Sequence, residues 1–125
     1  MMQGHGLIEL NWQGNVLYVD AFGPFNEEGV VSCAQKYINE IKNKTCEQFY
    51  VIETWDKDSF GSPKVYEVVD KNWASFQAFG CLGIAVVVSD NLQKSLAEKV
   101  LPSFPSQAFT NLEQAQSWIS SLNAL

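Results

Sequence analysis

Residues 49–69 read FYVIETWDKDSFGSPKVYEVV, and the way this stretch divides decides the fold. Its first residues, FYVIET, are too short and too rich in β-branched and aromatic side chains for a helix. They read as a buried central strand. Further on the spacing turns helical, with Val65, Val69, Trp73 and Phe76 recurring on one stripe. Pro63 falls where helices accept proline, at their first position, because it has no N–H to leave unpaired and its φ is already helical. Ser62 is then the N-cap. The stretch is one strand–loop–helix step, and the chain repeats it on both sides.

Downstream, CLGIAVVVS is an almost wholly apolar run, the pattern of a strand covered on both faces. Gly80 ends the helix before it. Ser89 or Asp90 caps a further helix with Leu92, Leu96 and Val100 as its inner stripe, and Lys94 and Glu98 four apart outside. Pro102 and Pro105 stop that helix, and QAFT is a short last strand. TNLE then reads as a capping box, Thr110 the cap and Glu113 reaching back, for a helix whose inner face is Leu112, Ala115, Ile119 and Leu122.

Upstream, GLIELNW and NVLYVDAF are strand-like runs joined by QGN, whose Gly and Asn tolerate the positive φ of a tight hairpin. Asn26 caps the helix that follows, with Glu27 and Glu28 at the positive end of its dipole. Val30, Ala34, Tyr37, Ile38 and Ile41 form its buried stripe. The order is ββαβαβαβα. Alternating strands and helices imply parallel pairing. The expected fold is therefore a single α/β domain over residues 1–125, with four helices and a mixed five-stranded sheet, mostly parallel with an N-terminal antiparallel hairpin.

Composition narrows the function. The chain is 46% hydrophobic and 13% aromatic, which suits a packed core. Its 14 acids face 8 basic residues, all of them lysine. Without arginine's planar fork and with scattered lysines, nucleic acid and anionic membrane surfaces are not expected partners. No apolar run approaches the roughly 20 residues that span a bilayer, and MMQGHG is no secretory signal, so a cytoplasmic location is expected. Cys33, Cys46 and Cys81 have no paired spacing and read as free thiols. The lone His5 and unclustered cysteines make a zinc site improbable. No cofactor is expected, and the oligomeric state is left open.

GNVLYVDAFGPF with its helix, and GIAVVVSD followed by a helix, PSFPSQAFT and EQAQSWI, resemble the SpoIIAA-like branch of the STAS fold, that of bacterial anti-sigma-factor antagonists. Ala115, Trp118 and Ile119 match its Ala-x-x-Trp-aliphatic helix. The chain looks closest to uncharacterised bacterial members. Phosphorylatable members carry a DSSG-like loop, and DSFG, Asp58 to Gly61, stands in the equivalent connection. The resemblance thus implies Ser59 as phosphoryl acceptor. Phe60 in place of a second hydroxyl residue, and a separate Ser62-Pro63 helix start, depart from that pattern and disfavour it. Related lipid-transfer domains suggest an apolar ligand by analogy.

Read locally, Asp58 and Ser59 form a surface turn while Ser62 does the structural work as cap. Asp56, Asp58 and Glu53 read as solvated acids, since no histidine or electrophile accompanies them. Trp55 and Trp73 could line a cleft at the carboxyl ends of the strands, where open α/β sheets place ligands. The candidate contacts are therefore Trp55, Asp58, Ser59 and Trp73. The first functional expectation is a non-catalytic regulatory or protein-interaction module. The alternative is a small apolar ligand or lipid binder using a cleft near Trp55 and Trp73. No enzymatic constellation is legible.

Overall fold

A computed structural model describes residues 4–123. The chain begins with a hairpin of β1 (Leu7–Gln13) and β2 (Val16–Phe22), antiparallel from Leu7 opposite Phe22 to Gln13 opposite Val16. Gly14 and Asn15 make the turn. Only Gly14 takes a positive φ, 61°, as in hairpin turns with glycine at the first central position. Then follow α1 (Glu27–Lys42), β3 (Phe49–Trp55), α2 (Pro63–Ser75) with a 3₁₀ turn at Phe76–Phe79, β4 (Cys81–Val87), α3 (Asn91–Glu98), β5 (Ser106–Phe109) and α4 (Leu112–Asn123). The last three strand pairs are parallel. The mixed five-stranded sheet with four helices is thus the observed architecture.

Strand order in space is strand order in sequence, β1-β2-β3-β4-β5. Parallel strands laid down in one direction, joined by crossovers of one hand, put every connecting helix on the same face. Accordingly α1, α2 and α3 contribute Tyr37, Ile41, Trp73 and Ala97 to a large core with Phe49, Val51, Ile84 and Val86. The other face has only α4, whose Ala115 and Ile119 pack on Tyr50, Ile52, Ala85, Val87 and Phe109. Trp118 joins this smaller cluster, its ring 5.8 Å from that of Phe109.

Caps follow the sequence in three helices. Asn26 accepts from the Gly29 N–H at 2.8 Å, Asp90 from Gln93 at 2.8 Å, and Ser62 from Val65 at 3.4 Å. Two expectations are corrected. The cap of α4 is Asn111, which accepts from Gln114, rather than Thr110. In α3 the inner positions are Gln93 and Ala97, while Leu92 is 64% exposed; Val100, just past the helix, is buried in the core as expected. Gln93 takes the inner place because its side chain is bonded at both ends: it accepts from the Ser89 N–H at 2.8 Å and donates to the Asp56 carbonyl at 2.7 Å. A leucine there would leave both backbone groups unpaired. Leu112 is likewise exposed, at the edge of α4.

The edges of the sheet are β1 and β5. Lys36 reaches from α1 to donate to the Ile8 carbonyl at 2.9 Å, occupying an acceptor that an exposed edge would offer to another strand.

A cavity beneath the second helix

The loop between β3 and α2 is built around Asp56. Its carboxylate accepts from the Gly23 N–H at 3.2 Å, the Asp58 N–H at 3.1 Å and the Ser59 hydroxyl at 2.8 Å. Ser59 Oγ also lies 3.1 Å from the Ala21 carbonyl, so its one proton has two acceptors within reach. The Phe25 N–H donates to the Phe60 carbonyl at 2.9 Å. This binds the loop to the end of β2. Gly23 permits the approach, because a Cβ there would fall on the backbone of Asp58 and Ser59.

Ser59 is therefore buried, at 5% exposure, rather than part of a surface turn. Ser62 is the exposed one, and its capping bond is long. Ser62 is the cap that the sequence led us to expect, but the surface turn expected at Ser59 is corrected: Ser59 is an interior structural serine as well. A phosphoryl group on Ser59 Oγ would be set against the Asp56 carboxylate, a clash of like charges. Asp58 is exposed at the surface of the loop.

Beneath α2 lies a cavity of about 60 Å³, at the carboxyl ends of β2 and β3. Its walls are mostly aromatic and aliphatic. The structure brings Trp55, Ser59 and Trp73 together there; Asp58 is not among the lining residues. The two indoles stack with centroids 6.4 Å apart and planes 26° apart, and Tyr66 lies 6.4 Å from Trp55.

Apart from Ser59, the polar members of the lining were not expected at the site. Glu53 is no solvated acid. It is 7% exposed, in the middle of β3, with Oε2 accepting from Trp55 Nε1 at 2.8 Å. Burial pushes its carboxyl up to about 7, against a smaller opposing effect of the Trp55 and Tyr37 hydrogen-bonding groups. The Tyr37 and Tyr66 hydroxyls are buried and, though Tyr37 is near enough to Glu53 and Tyr66 to the Gly61 backbone to feel them, neither completes a well-formed hydrogen bond among the described residues. Burial, and then the neighbouring Glu53 charge, hold the Tyr37 phenol well above its usual 10. The signal for Glu53 lay in strand alternation: Phe49, Val51, Glu53 and Trp55 share a face.

The cysteines do not contribute to this site. All three are free thiols, and burial raises Cys81 to about 12. Among the described residues no helix is long and apolar enough to cross a membrane.

No protein-family model matches the sequence, and no curated protein matches it. Among solved structures the chain is similar to a crystal structure of an uncharacterized protein of the DUF3478 family, with a SpoIIAA-like fold, from Shewanella loihica PV-4. The TM-score is 0.61 at 12% identity, over 94% of this chain and 96% of that one. The chain therefore has a SpoIIAA-like α/β fold.

Proposed function

We propose that this protein is a non-catalytic binding module whose site is the cavity between α2 and the sheet, and that its ligand is small and largely apolar. One observation carries this reading. The Glu53 carboxyl and the Tyr37 and Tyr66 hydroxyls are buried in a mostly apolar cavity that Ser59 and Asn72 also line, and neither tyrosine hydroxyl makes a well-formed hydrogen bond among the described residues. Cores seldom leave such groups unpaired, whereas ligand pockets combine apolar walls with a few convergent polar groups. A cavity of about 60 Å³ holds a few waters or a compact group of several heavy atoms. A lipid chain would require α2 to move away from the sheet.

Native mass spectrometry of freshly purified full-length protein, with a fluorine-detected fragment screen, tests the proposal. A retained small mass, or fragments that perturb Trp55 and Trp73 fluorescence, is expected. A clean apo mass with no fragment binding would remove the reading.

A regulatory protein-interaction module is the second reading, favoured by Leu7 and Phe22. They are 53% and 38% exposed and stand opposite each other at the open end of the hairpin. A partner recovered from the host by the native chain and lost by Leu7→Lys/Phe22→Lys would favour it.

A further inference from the structure

The chemical class of the ligand follows from what the cavity offers and what it lacks. This step rests on the reading of the cavity as a ligand site. We propose that the cavity takes a small alkylammonium cation, its charge beside the Glu53 carboxylate and its alkyl groups against the indoles of Trp55 and Trp73.

Three features converge on a cation. First, the carboxylate has no cationic neighbour: neither lysine nor histidine lines the cavity. Its one well-formed hydrogen bond comes from Trp55 Nε1 to Oε2, which fixes the carboxyl plane and leaves Oε1 without such a bond. A buried carboxylate is costly without a counter-charge, and a ligand cation would supply one.

Second, the walls include Phe25, Tyr37, Trp55, Phe60, Tyr66 and Trp73. The faces of aromatic rings attract cations through their quadrupoles, most strongly for tryptophan and when water is excluded. Aromatic enclosures are a recurring means of holding methylated ammonium groups. Third, the buried Tyr37 and Tyr66 hydroxyls, neither with a well-formed hydrogen bond among the described residues, present further oxygen lone pairs. An anion would meet the Glu53 charge with no lysine, arginine or histidine in the lining to offset it. A neutral apolar guest would leave the carboxylate unpaired. The volume sets the scale at a tetramethylammonium-like group rather than a long chain.

Calorimetry and tryptophan fluorescence at pH 8, on the full chain at constant ionic strength, provide the test. The probes are tetramethylammonium, choline, and 3,3-dimethylbutan-1-ol, the uncharged carbon isostere of choline. Choline is expected to bind about tenfold or more tighter than the alcohol. Glu53→Gln, checked for folding by circular dichroism, should erase that preference, chiefly by weakening choline. If the alcohol binds as tightly as choline, or if Glu53→Gln leaves the preference intact, the cation assignment is overturned while the cavity remains a ligand site. If none of the probes binds up to about 100 mM, the cation assignment falls, and the fragment screen then decides separately whether the cavity binds anything.

Discussion

Glu53 sits in the central strand with an indole N–H as its one well-formed hydrogen bond, and its position makes stability depend on pH in an unusual direction. Most acids that matter to a fold are ionised and paired, so stability falls on acidification. Here burial raises the folded-state value from the ordinary 4.5 to about 7. Between those values the folded chain keeps a proton that the unfolded chain has released, so stability declines as pH rises through this window and levels off above about 7. At 1.36 kcal/mol per pH unit the whole effect is on the order of 3 kcal/mol. Glu53→Gln should therefore stabilise the free protein at pH 8 by up to about that amount and leave it nearly unchanged at pH 4.5, as urea melts at the two pH values will show. A variant less stable than the parent at pH 8 would contradict the account. The two loop serines give a second test at this scale. Ser59→Ala removes a buried hydroxyl bonded to a carboxylate and should cost about 1.5–3 kcal/mol. Ser62→Ala removes a long capping bond at an exposed position and should cost about 0.5–1 kcal/mol. Denaturant melts of the two variants rank them directly. The sequence identified Ser62 because capping is local, readable from Pro63 beside it. Ser59 was illegible because its partners include the Ala21 carbonyl, 38 residues away in the chain.

At the scale of elements, α3 shows where periodicity stops being a guide. Leu92, Leu96 and Val100 make a regular stripe, yet only Val100, past the helix end, reaches the core, and within the helix Gln93 and Ala97 face inward. Two hydrogen bonds from one glutamine tie the start of α3 to the end of β3, and they settle the rotation of a short helix. Gln93→Leu keeps the volume and deletes both bonds, so it should destabilise by about 2–4 kcal/mol and speed amide exchange at Ser89. A melt unchanged within about 0.5 kcal/mol would show that the leucine stripe had been the better guide. By contrast α1, α2 and the hairpin were legible almost residue by residue. Their signals are local ones: Asn26 and Ser62 as caps, Pro63 at the first helical turn, Gly14 in the turn. The cavity was legible in part, because Trp55 and Trp73 are large and flank a loop. Its polar half was missed, because an acid next to DKD looks like one more loop acid until strand alternation is counted through Trp55.

For the whole molecule, the order of elements was readable because each strand and helix carries its own period and its own stop signal. What remained hidden was how unevenly the two faces are covered. Three helices guard one face and α4 alone guards the other, so α4 matters more than a terminal helix usually does. A chain ended after Thr110 would bare Tyr50, Ile52, Ala85, Val87 and Phe109 together. It should lose cooperative unfolding and bind a hydrophobic dye such as ANS at neutral pH; a sharp two-state melt from that fragment would refute the claim. The sequential strand order has a further consequence, for the time course of synthesis. Each strand hydrogen-bonds to the one made before it, so no gap is held open for a later segment and no strand need be threaded between two others. The hairpin can close as soon as it leaves the ribosome, and each β–α step can then dock on an edge already in place. Until α4 is made, however, the second face has no cover. A growing chain that lacks α4 is thus a sheet with one bare side, the stage at which a chaperone would have most to shield.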